Sequence, residues 1–320
     1  MSSVRWPAVA VTISLFLAGC SASDPPPGPA AGLPVMPGVG ATPLPPLAGG
    51  EPDLDPTIIA SADPRNTARP LDAYAPTDEA TRLVNRARII VGDRCMARFG
   101  FQPEPGWQPE GTAPLRTWAR YGLWDPAPAE EHGYMPPPDP NQMTNPPIRF
   151  MESQDAINVY LGDVTQYAGQ EVPPGGCQGE ELRAVFGSES ELAQSGYVAD
   201  LDREALIRAA QDSRVVPLMD AWRECVKAAG WEYADVMAPF AYWSTRRGED
   251  KWVAVISEEE KQSARADIQC KTSTGLLGTW LAADIAYQNA IIEREGERLR
   301  EWAQAIDRRV GRANEILAEG

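Results

Sequence analysis

Histidine is almost absent from this chain. The 320 residues include a single one, His132, so histidine-rich metal centres and catalytic systems that need several imidazoles are excluded by counting. Basic residues are also few, with 29 lysines and arginines against 45 aspartates and glutamates and a formal net charge of −16. Such a chain offers no electrostatic footprint for phosphates, which argues against a nucleic-acid partner.

Familiar catalytic motifs are lacking as well. The sequence contains no Gly-x-Ser-x-Gly elbow, no P-loop and no dinucleotide-binding fingerprint. His132 lies in a proline-rich stretch, and the sequence identifies no partner for it, so a packed or exposed histidine is favoured over a catalytic one. We predict no catalytic residue, no cofactor and no metal site.

Adjacent carboxylates are the remaining enzymatic possibility. They occur at Glu130-Glu131, at Glu180-Glu181 and from Glu258 to Glu260, and a hydrolase that pairs two carboxylates would draw on such residues. Two of these runs fall in the first turns of predicted helices, where acidic residues suit the helix dipole. Solvated helix starts are therefore favoured, and a carboxylate-dependent hydrolase is the less favoured alternative.

Long apolar runs are missing apart from one near the start of the chain. Residues 9–18 follow Arg5, and about ten apolar residues are too few for a membrane-spanning helix, which needs roughly 20. The run ends in Leu-Ala-Gly-Cys at residues 17–20, which resembles the lipobox of bacterial lipoproteins. The resemblance implies a signal peptide over residues 1–19 and a diacylated Cys20 that anchors the protein to the membrane. An ordinary secretory signal is the alternative.

Proline dominates the next segment, with 14 prolines among the 56 residues from 21 to 76. Periodic apolar residues are scarce there, so the segment cannot offset its ordering entropy and is predicted to be disordered. We therefore expect a signal peptide (1–19), a lipidated cysteine with a disordered tether (20–76) and a single helical ectodomain (77–320). Possible halves of the ectodomain are 77–198 and 199–320.

Helical patterns dominate the expected ectodomain. Thr77 or Asp78 suits the N-cap of a helix that runs to about Arg98, and Ser257 with Glu260 forms a capping-box pattern at the start of another helix. The predicted fold is mainly α: a disulfide-braced antiparallel helical domain with a long C-terminal helix and proline-rich irregular segments.

Four cysteines remain when Cys20 is lipidated, and an even number in an exported chain predicts two disulfides, with three possible pairings. Residues 95–101 and 225–231 share a pattern of cysteine, four residues, glycine and an aromatic residue. If this is an internal repeat, each helix-borne cysteine pairs with the cysteine that follows it. The predicted pairs are then Cys95–Cys177 and Cys225–Cys270. A four-cysteine metal site is disfavoured because close Cys-x-x-Cys pairs are missing.

An ordered series of short motifs extends over most of the chain after residue 76. It consists of Cys95-Met96 with Gly100-Phe101, Arg120-Tyr121-Gly122 with His132-Gly133-Tyr134, Gly176-Cys177 with Glu180-Glu181, Trp222-x-x-Cys225 with Gly230-Trp231, and Ala266-Asp267-x-x-Cys270. The series resembles a group of uncharacterised secreted lipoproteins of actinobacteria. The resemblance implies a location in the cell envelope and no established activity or catalytic residue.

Aromatic residues concentrate inside the loop that a Cys225–Cys270 bridge would close. The candidate ligand-binding residues are Trp231, Tyr233, Tyr242, Trp243, Arg246 and Trp252. Such a set suits stacking on sugar rings or clamping a peptide, which would make the protein a cell-wall glycan or peptide binder. Aromatic residues also fill the cores of small disulfide-braced domains, and periodicity does not decide between the two interpretations.

The C-terminal region carries a heptad column on one or two long helices predicted between residues 275 and 318. Its members recur at intervals of seven: Ile285, Ile292, Leu299, Ile306 and Ala313. The column is longer than the other predicted helices that could cover it. We therefore expect residues 299–317 to extend beyond the helical bundle and to dock another envelope protein or a second copy. The candidate docking residues are Leu299, Trp302 and Ile306. The preferred function is a lipid-anchored, non-catalytic interaction module; complete coverage within a monomeric bundle is the alternative for this helix.

Overall fold

The computed structural model describes residues 43–102, 119–135, 153–247 and 255–319. Its helices are α1 (Pro56–Ser61), α2 (Asp78–Arg98), α3 (Pro126–His132), α4 (Gln154–Leu161), α5 (Gly176–Phe186), α6 (Glu189–Ala193), α7 (Tyr197–Ala210), α8 (Val216–Ala228), α9 (Ala238–Arg247), α10 (Glu258–Ser273) and α11 (Leu276–Ala318). A 3-10 helix covers Pro70–Tyr74, and β1 (Gln166–Tyr167) pairs antiparallel with β2 (Gln170–Glu171). The predicted mainly α class is confirmed. Within the described ranges, none of the helices combines the length and the apolar character that crossing a bilayer requires.

Helix α11, 43 residues long, is the axis around which the other elements pack. Its first turns are apolar on nearly every side and are buried, as expected of a helix that is enclosed by its neighbours. Trp280 and Ile291 belong to the main core there, together with Trp222 of α8 and Leu206 of α7. The long C-terminal helix that the sequence predicts is therefore confirmed, and it contributes more buried residues to the main core than any other element does.

Two disulfides brace this arrangement, and both have the predicted partners. Cys95 of α2 is bonded to Cys177 of α5, and Cys225 of α8 is bonded to Cys270 of α10, with Cα–Cα distances of 5.5 and 5.7 Å. Loop-closure arithmetic assigns about 4 kcal/mol of stabilisation to each bond, in a model in which crosslinking restricts the unfolded chain.

The internal repeat that suggested this pairing is visible in the backbone. Gly100 and Gly230 each follow a cysteine-bearing helix, with positive φ angles of 84° and 95°. The amide of Phe101 donates to the carbonyl oxygen of Met96 at 3.2 Å, and the amide of Trp231 makes the equivalent bond at the other helix at 2.9 Å. Both helices end in the same Schellman-type cap, which favours glycine because its left-handed conformation carries no Cβ penalty.

The segment before residue 77 corrects the predicted domain boundary. Residues 43–76 are not a free tether, because α1 and the 3-10 helix pack along α11. Leu71 is only 1% exposed, and its amide donates to Oε1 of the buried Gln288 at 3.0 Å. Gly278 of α11 permits the close approach of α1, since a Cβ atom there would overlap the carbonyl oxygen of Ile59. The folded part thus includes residues 43–76; residues 1–42, with the predicted signal peptide and Cys20, lie outside the described ranges.

Two glutamates of the acidic runs also differ from the prediction of solvated helix starts, and Glu181 lies beyond the first turn of α5. Glu260 is buried. Ser257 caps the amide of Glu260, as expected. The carboxylate of Glu260 does not face water but pairs with Arg247 and accepts a hydrogen bond from the amide of Tyr134. Glu181 is buried as well and pairs with Arg88 at 2.9 Å. In both cases an arginine from another element replaces water, which periodicity alone does not reveal.

Candidate functional site

The aromatic residues around α9 divide into a buried and an exposed group. Tyr233 and Trp243 are core residues: Nε1 of Trp243 donates to the Tyr233 hydroxyl at 3.1 Å, and that hydroxyl lies 2.6 Å from Oγ of Ser263 on α10. Buried aromatic residues whose polar atoms are already satisfied support packing rather than ligand contact. The prediction that Tyr233 and Trp243 line a binding surface is therefore wrong, and the core interpretation holds for them.

The second group consists of the exposed residues Tyr242 and Arg246 together with Trp231, and we call it the α9 face. Tyr242 is 38% exposed, and the guanidinium of Arg246 lies 4.9 Å from the centroid of its ring. Trp231 is half-buried and stacks parallel to Tyr233 with a centroid separation of 6.5 Å. The α9 face is attached to the core, since the ring of Tyr242 packs edge-on against the buried Trp243 with a centroid separation of 5.1 Å. Trp252, the remaining predicted member, lies outside the described residues.

The predicted docking residues on α11 do not form a projecting surface. Leu299 and Trp302 are buried, and Ile306 is half-buried against the main core. Near the end of the helix, Ala313 is buried in a small cluster with Ala87 of α2 and Val185 of α5. The expectation that residues 299–317 extend beyond the bundle is wrong, because α2, α5 and the segment before residue 77 cover the heptad column.

A buried ion cluster joins Asp284 of α11 to Arg120, which lies just before α3. Asp284 has no exposed surface, and Arg120 forms a two-pronged pair with it, with N–O distances of 2.6 and 2.9 Å. The hydroxyl of Tyr121 and the side-chain amide of Gln288 also donate to its carboxylate, at 2.6 and 3.0 Å. Burial opposes ionisation, but Arg120 and these two donors hold the pKa of Asp284 below its ordinary value. Arg120 has a second carboxylate partner in Asp202 on α7, at 2.7 Å.

A second buried pair lies one helix away, on α10. Nζ of Lys271 donates to Oδ1 of Asp267 at 2.6 Å and to the carbonyl oxygen of Leu123 at 2.8 Å, and Nε1 of Trp222 donates to the same carboxylate at 2.9 Å. Burial raises the pKa of Asp267 and lowers the pKa of Lys271, while their mutual attraction opposes both shifts. Asp267 and Lys271 are 0% and 1% exposed, so neither reaches a substrate in this conformation.

Sequence reasoning missed both buried pairs as structural units. Arg120, Tyr121 and Asp267 stand in the motif series of the family resemblance, but nothing in their spacing reveals that they are buried. Among the described residues, no group of three or more histidine, cysteine, aspartate or glutamate side chains is placed to hold a metal ion. His132 approaches Glu131 at 3.7 Å on the surface side of α3.

Two open grooves meet at Trp302. One has a volume of about 430 Å³ and lies between the 3-10 helix and α7, with Leu71, Ala75 and Val198 in its lining. The other has a volume of about 330 Å³ and lies between α6 and α11. Trp302 separates them, and its Nε1 donates to the carbonyl oxygen of Tyr74 at 2.8 Å.

Comparison with models of protein families, with curated proteins and with solved structures yields no significant match for this chain. The resemblance to actinobacterial lipoproteins therefore stays a prediction from the sequence. Any function must be argued from the residues and their geometry.

Proposed function

We propose that this chain is a lipid-anchored protein on the outer face of the cell membrane that binds a cell-wall glycan or peptide through the α9 face and catalyses no reaction. The anchor is the lipid on Cys20, and the partner is part of the cell envelope. The observation that carries the binding role is the exposed ring of Tyr242 with Arg246 above it, on a helix held by the core.

The α9 face has the chemistry that such ligands use. An exposed aromatic ring supplies a flat apolar surface on which a sugar ring or a peptide side chain stacks, and a guanidinium beside it adds hydrogen-bond donors for hydroxyl or carbonyl oxygens. Within the described ranges the large exposed apolar residues are Leu161, Val216, Tyr242 and Val255. Tyr242 is the aromatic residue among them, and it is the one with a cation above its ring.

The disulfides support the location. Structural disulfides form and persist in oxidising compartments outside the cytoplasm, and two of them join four helices of this chain. The lipobox-like residues 17–20 agree with export.

The anchoring part is tested by the substitution Cys20→Ala. We expect the protein to leave the membrane fraction, or to accumulate as unprocessed precursor, because the thiol that receives the lipid is missing. Fractionation followed by mass measurement of the N-terminus distinguishes these forms, and Cys20→Ser serves as a second variant without the thiol. Full membrane retention of a processed Cys20→Ala chain would contradict the anchor.

The binding part is tested on a soluble chain that starts at residue 21. Titration with peptidoglycan fragments, followed by tryptophan fluorescence, is expected to show saturable binding that weakens about tenfold or more in the variant Tyr242→Ala/Arg246→Ala, equivalent to about 1.4 kcal/mol. Both side chains lie on the surface, so we expect the variant to keep the melting temperature of the parent.

The matched control for this experiment is Val216→Ala/Arg203→Ala, which removes an exposed apolar group and an exposed cation elsewhere. It should bind like the parent. If both double variants bind equally well, the α9 face is not the site. If no fragment produces a saturable change in the parent protein, the glycan or peptide function is wrong.

A further inference from the structure

The groove between α6 and α11 contains an arginine, Arg309, that no carboxylate of the described residues contacts. Arg308, Arg309 and Arg312 lie on neighbouring turns of α11 and face Glu191 of α6. The carboxylate of Glu191 is shared by Nε of Arg308 at 3.0 Å and Nη2 of Arg312 at 2.6 Å. Burial opposes its ionisation, yet these two arginines hold the pKa of Glu191 below its ordinary value. The carboxylate of Glu191 is thus already occupied by Arg308 and Arg312.

Arg309 is the cation left without a carboxylate. It is 6% exposed, and its guanidinium lies between the rings of Phe186 at 4.7 Å and Trp302 at 4.6 Å. Of its five N–H donors, Nη2 reaches the backbone carbonyl oxygen of Glu191 at 3.1 Å, while Nε is buried and finds no acceptor in the described part of the chain. A buried guanidinium with one neutral acceptor is costly, because charged donors taken from water need partners.

The charged neighbours of Arg309 also leave its guanidinium without a balancing anion. Burial and the neighbouring Arg312 and Arg308 lower its pKa, and only Glu191 acts in the opposite direction. Two aromatic rings give the guanidinium cation–π contacts, which explain how it is held in place. They do not supply the anion that it lacks.

The groove beside these residues has the size of a small ligand site. Its volume is about 330 Å³, and Arg308, Arg309 and Trp302 contribute to its lining. Ser190, Gln194 and Gln304, which both donate and accept hydrogen bonds, also line it. Most of the lining is polar, which suits a ligand with a polar body.

The pairing of the charged residues indicates which anion the groove suits. The charged residues of the lining are Glu191, Glu301, Arg308 and Arg309, whose formal charges sum to zero, but Glu191 is already shared by Arg308 and Arg312. A singly charged planar carboxylate would give Arg309 the carboxylate partner that it lacks and would match the fork of its guanidinium. A doubly charged phosphate would leave excess negative charge beside Glu301.

We propose that the groove between α6 and α11 binds the carboxylate of a small molecule or short peptide, with Arg309 and Arg308 as the cationic groups and with Ser190, Gln194 and Gln304 contacting the polar body of the ligand. This site is separate from the α9 face and stands whether or not that face binds a ligand.

The experiment uses N-acetyl-alanyl-alanine as the probe and its C-terminal amide as the uncharged counterpart, with inorganic phosphate as a third arm. The soluble chain from residue 21 is titrated by calorimetry. We expect saturable binding of the carboxylate, and binding of the amide that is at least tenfold weaker, equivalent to about 1.4 kcal/mol or more. Arg309→Met should abolish the preference for the carboxylate, because the unbranched apolar side chain can still lie between the two rings without supplying a charge.

A second variant guards against a folding defect, since Arg309 is buried. Arg308 is half-exposed, and Glu191 keeps Arg312 as a partner without it, so Arg308→Gln should fold and weaken binding several-fold. Arg203→Gln removes a cation on α7 and should bind like the parent. Absence of carboxylate binding, equal binding of the amide, tighter binding of phosphate, or equal losses in Arg308→Gln and Arg203→Gln would each overturn the proposal.

Discussion

A chain that starts at residue 77 is expected to melt roughly 10 to 20 °C below one that starts at residue 43, at about 2–4 °C per kcal/mol for a domain of this size. The missing segment covers α11: Leu71 is fully buried, and Leu54 and Ile58 pack against the main core. Burial of one such side chain contributes about 1.5–3 kcal/mol, so the three together contribute on the order of 5 kcal/mol. That is a large part of the total stability of an ordinary domain, which is about 5–15 kcal/mol.

The comparison needs three chain starts, at residues 21, 43 and 77, each followed by circular dichroism during heating. The first two should melt together if the segment before residue 43 is the tether that the sequence predicts. Leu71→Ala in the longest chain isolates one contact and should cost about 2–5 kcal/mol, as expected for a leucine removed from a core. Equal melting temperatures for the starts at 43 and 77 would show that the segment does not stabilise the domain.

Local patterns predicted much of this fold correctly because they depend on neighbouring residues alone. Thr77 caps α2 through the amide of Ala80, and Ser257 caps α10 through the amide of Glu260. The shared cysteine–glycine pattern predicted both disulfides, since the same cap ends both helices and places each cysteine at the same distance from the turn. Side-chain capping and left-handed glycines act within one or two turns, so one sequence contains all the information they need.

The segment of residues 43–76 was misjudged because its stability comes from another part of the chain. It has few apolar residues and no period, which is typical of disorder. One leucine at position 71 is buried because α11 offers a surface more than 200 residues away, where the amide of Leu71 meets Gln288. Composition measures how many apolar residues a segment has, but not whether a partner surface exists.

The prediction of a projecting end of α11 was wrong for the same reason. The heptad column was expected to extend beyond the helices that cover it, because α5 and the segment before residue 77 were not counted as cover. Of the predicted aromatic site, Tyr242 and Arg246 lie on the surface and Trp243 lies in the core, a division that depends on the contact with Ser263. The groove at Arg309 had no signal in the sequence analysis.

Replacement of Arg120 by methionine is expected to destabilise the protein by about 3–5 kcal/mol at neutral pH, because it leaves the carboxylate of Asp284 buried without its cation. Asp284 keeps the hydroxyl of Tyr121 and the amide of Gln288, which are neutral donors and do not balance its charge. Asp202 also loses Arg120, but it is partly exposed and can turn to water. Urea unfolding of the variant and the parent measures the difference.

The pH dependence of that difference identifies its cause. In the parent protein the pKa of Asp284 is lowered, so the pair contributes stability above the unfolded pKa and loses it only as the pH falls through the lower folded value. In Arg120→Met the uncompensated burial should raise this pKa instead, so the carboxylate is protonated as the pH falls and the loss of stability becomes smaller. The double variant Arg120→Met/Asp284→Leu removes both charges and should recover part of the loss even at neutral pH. A loss of stability that stays constant between mildly acidic and neutral pH, with no recovery in the double variant, would mean that Arg120 acts through its packing rather than through its charge.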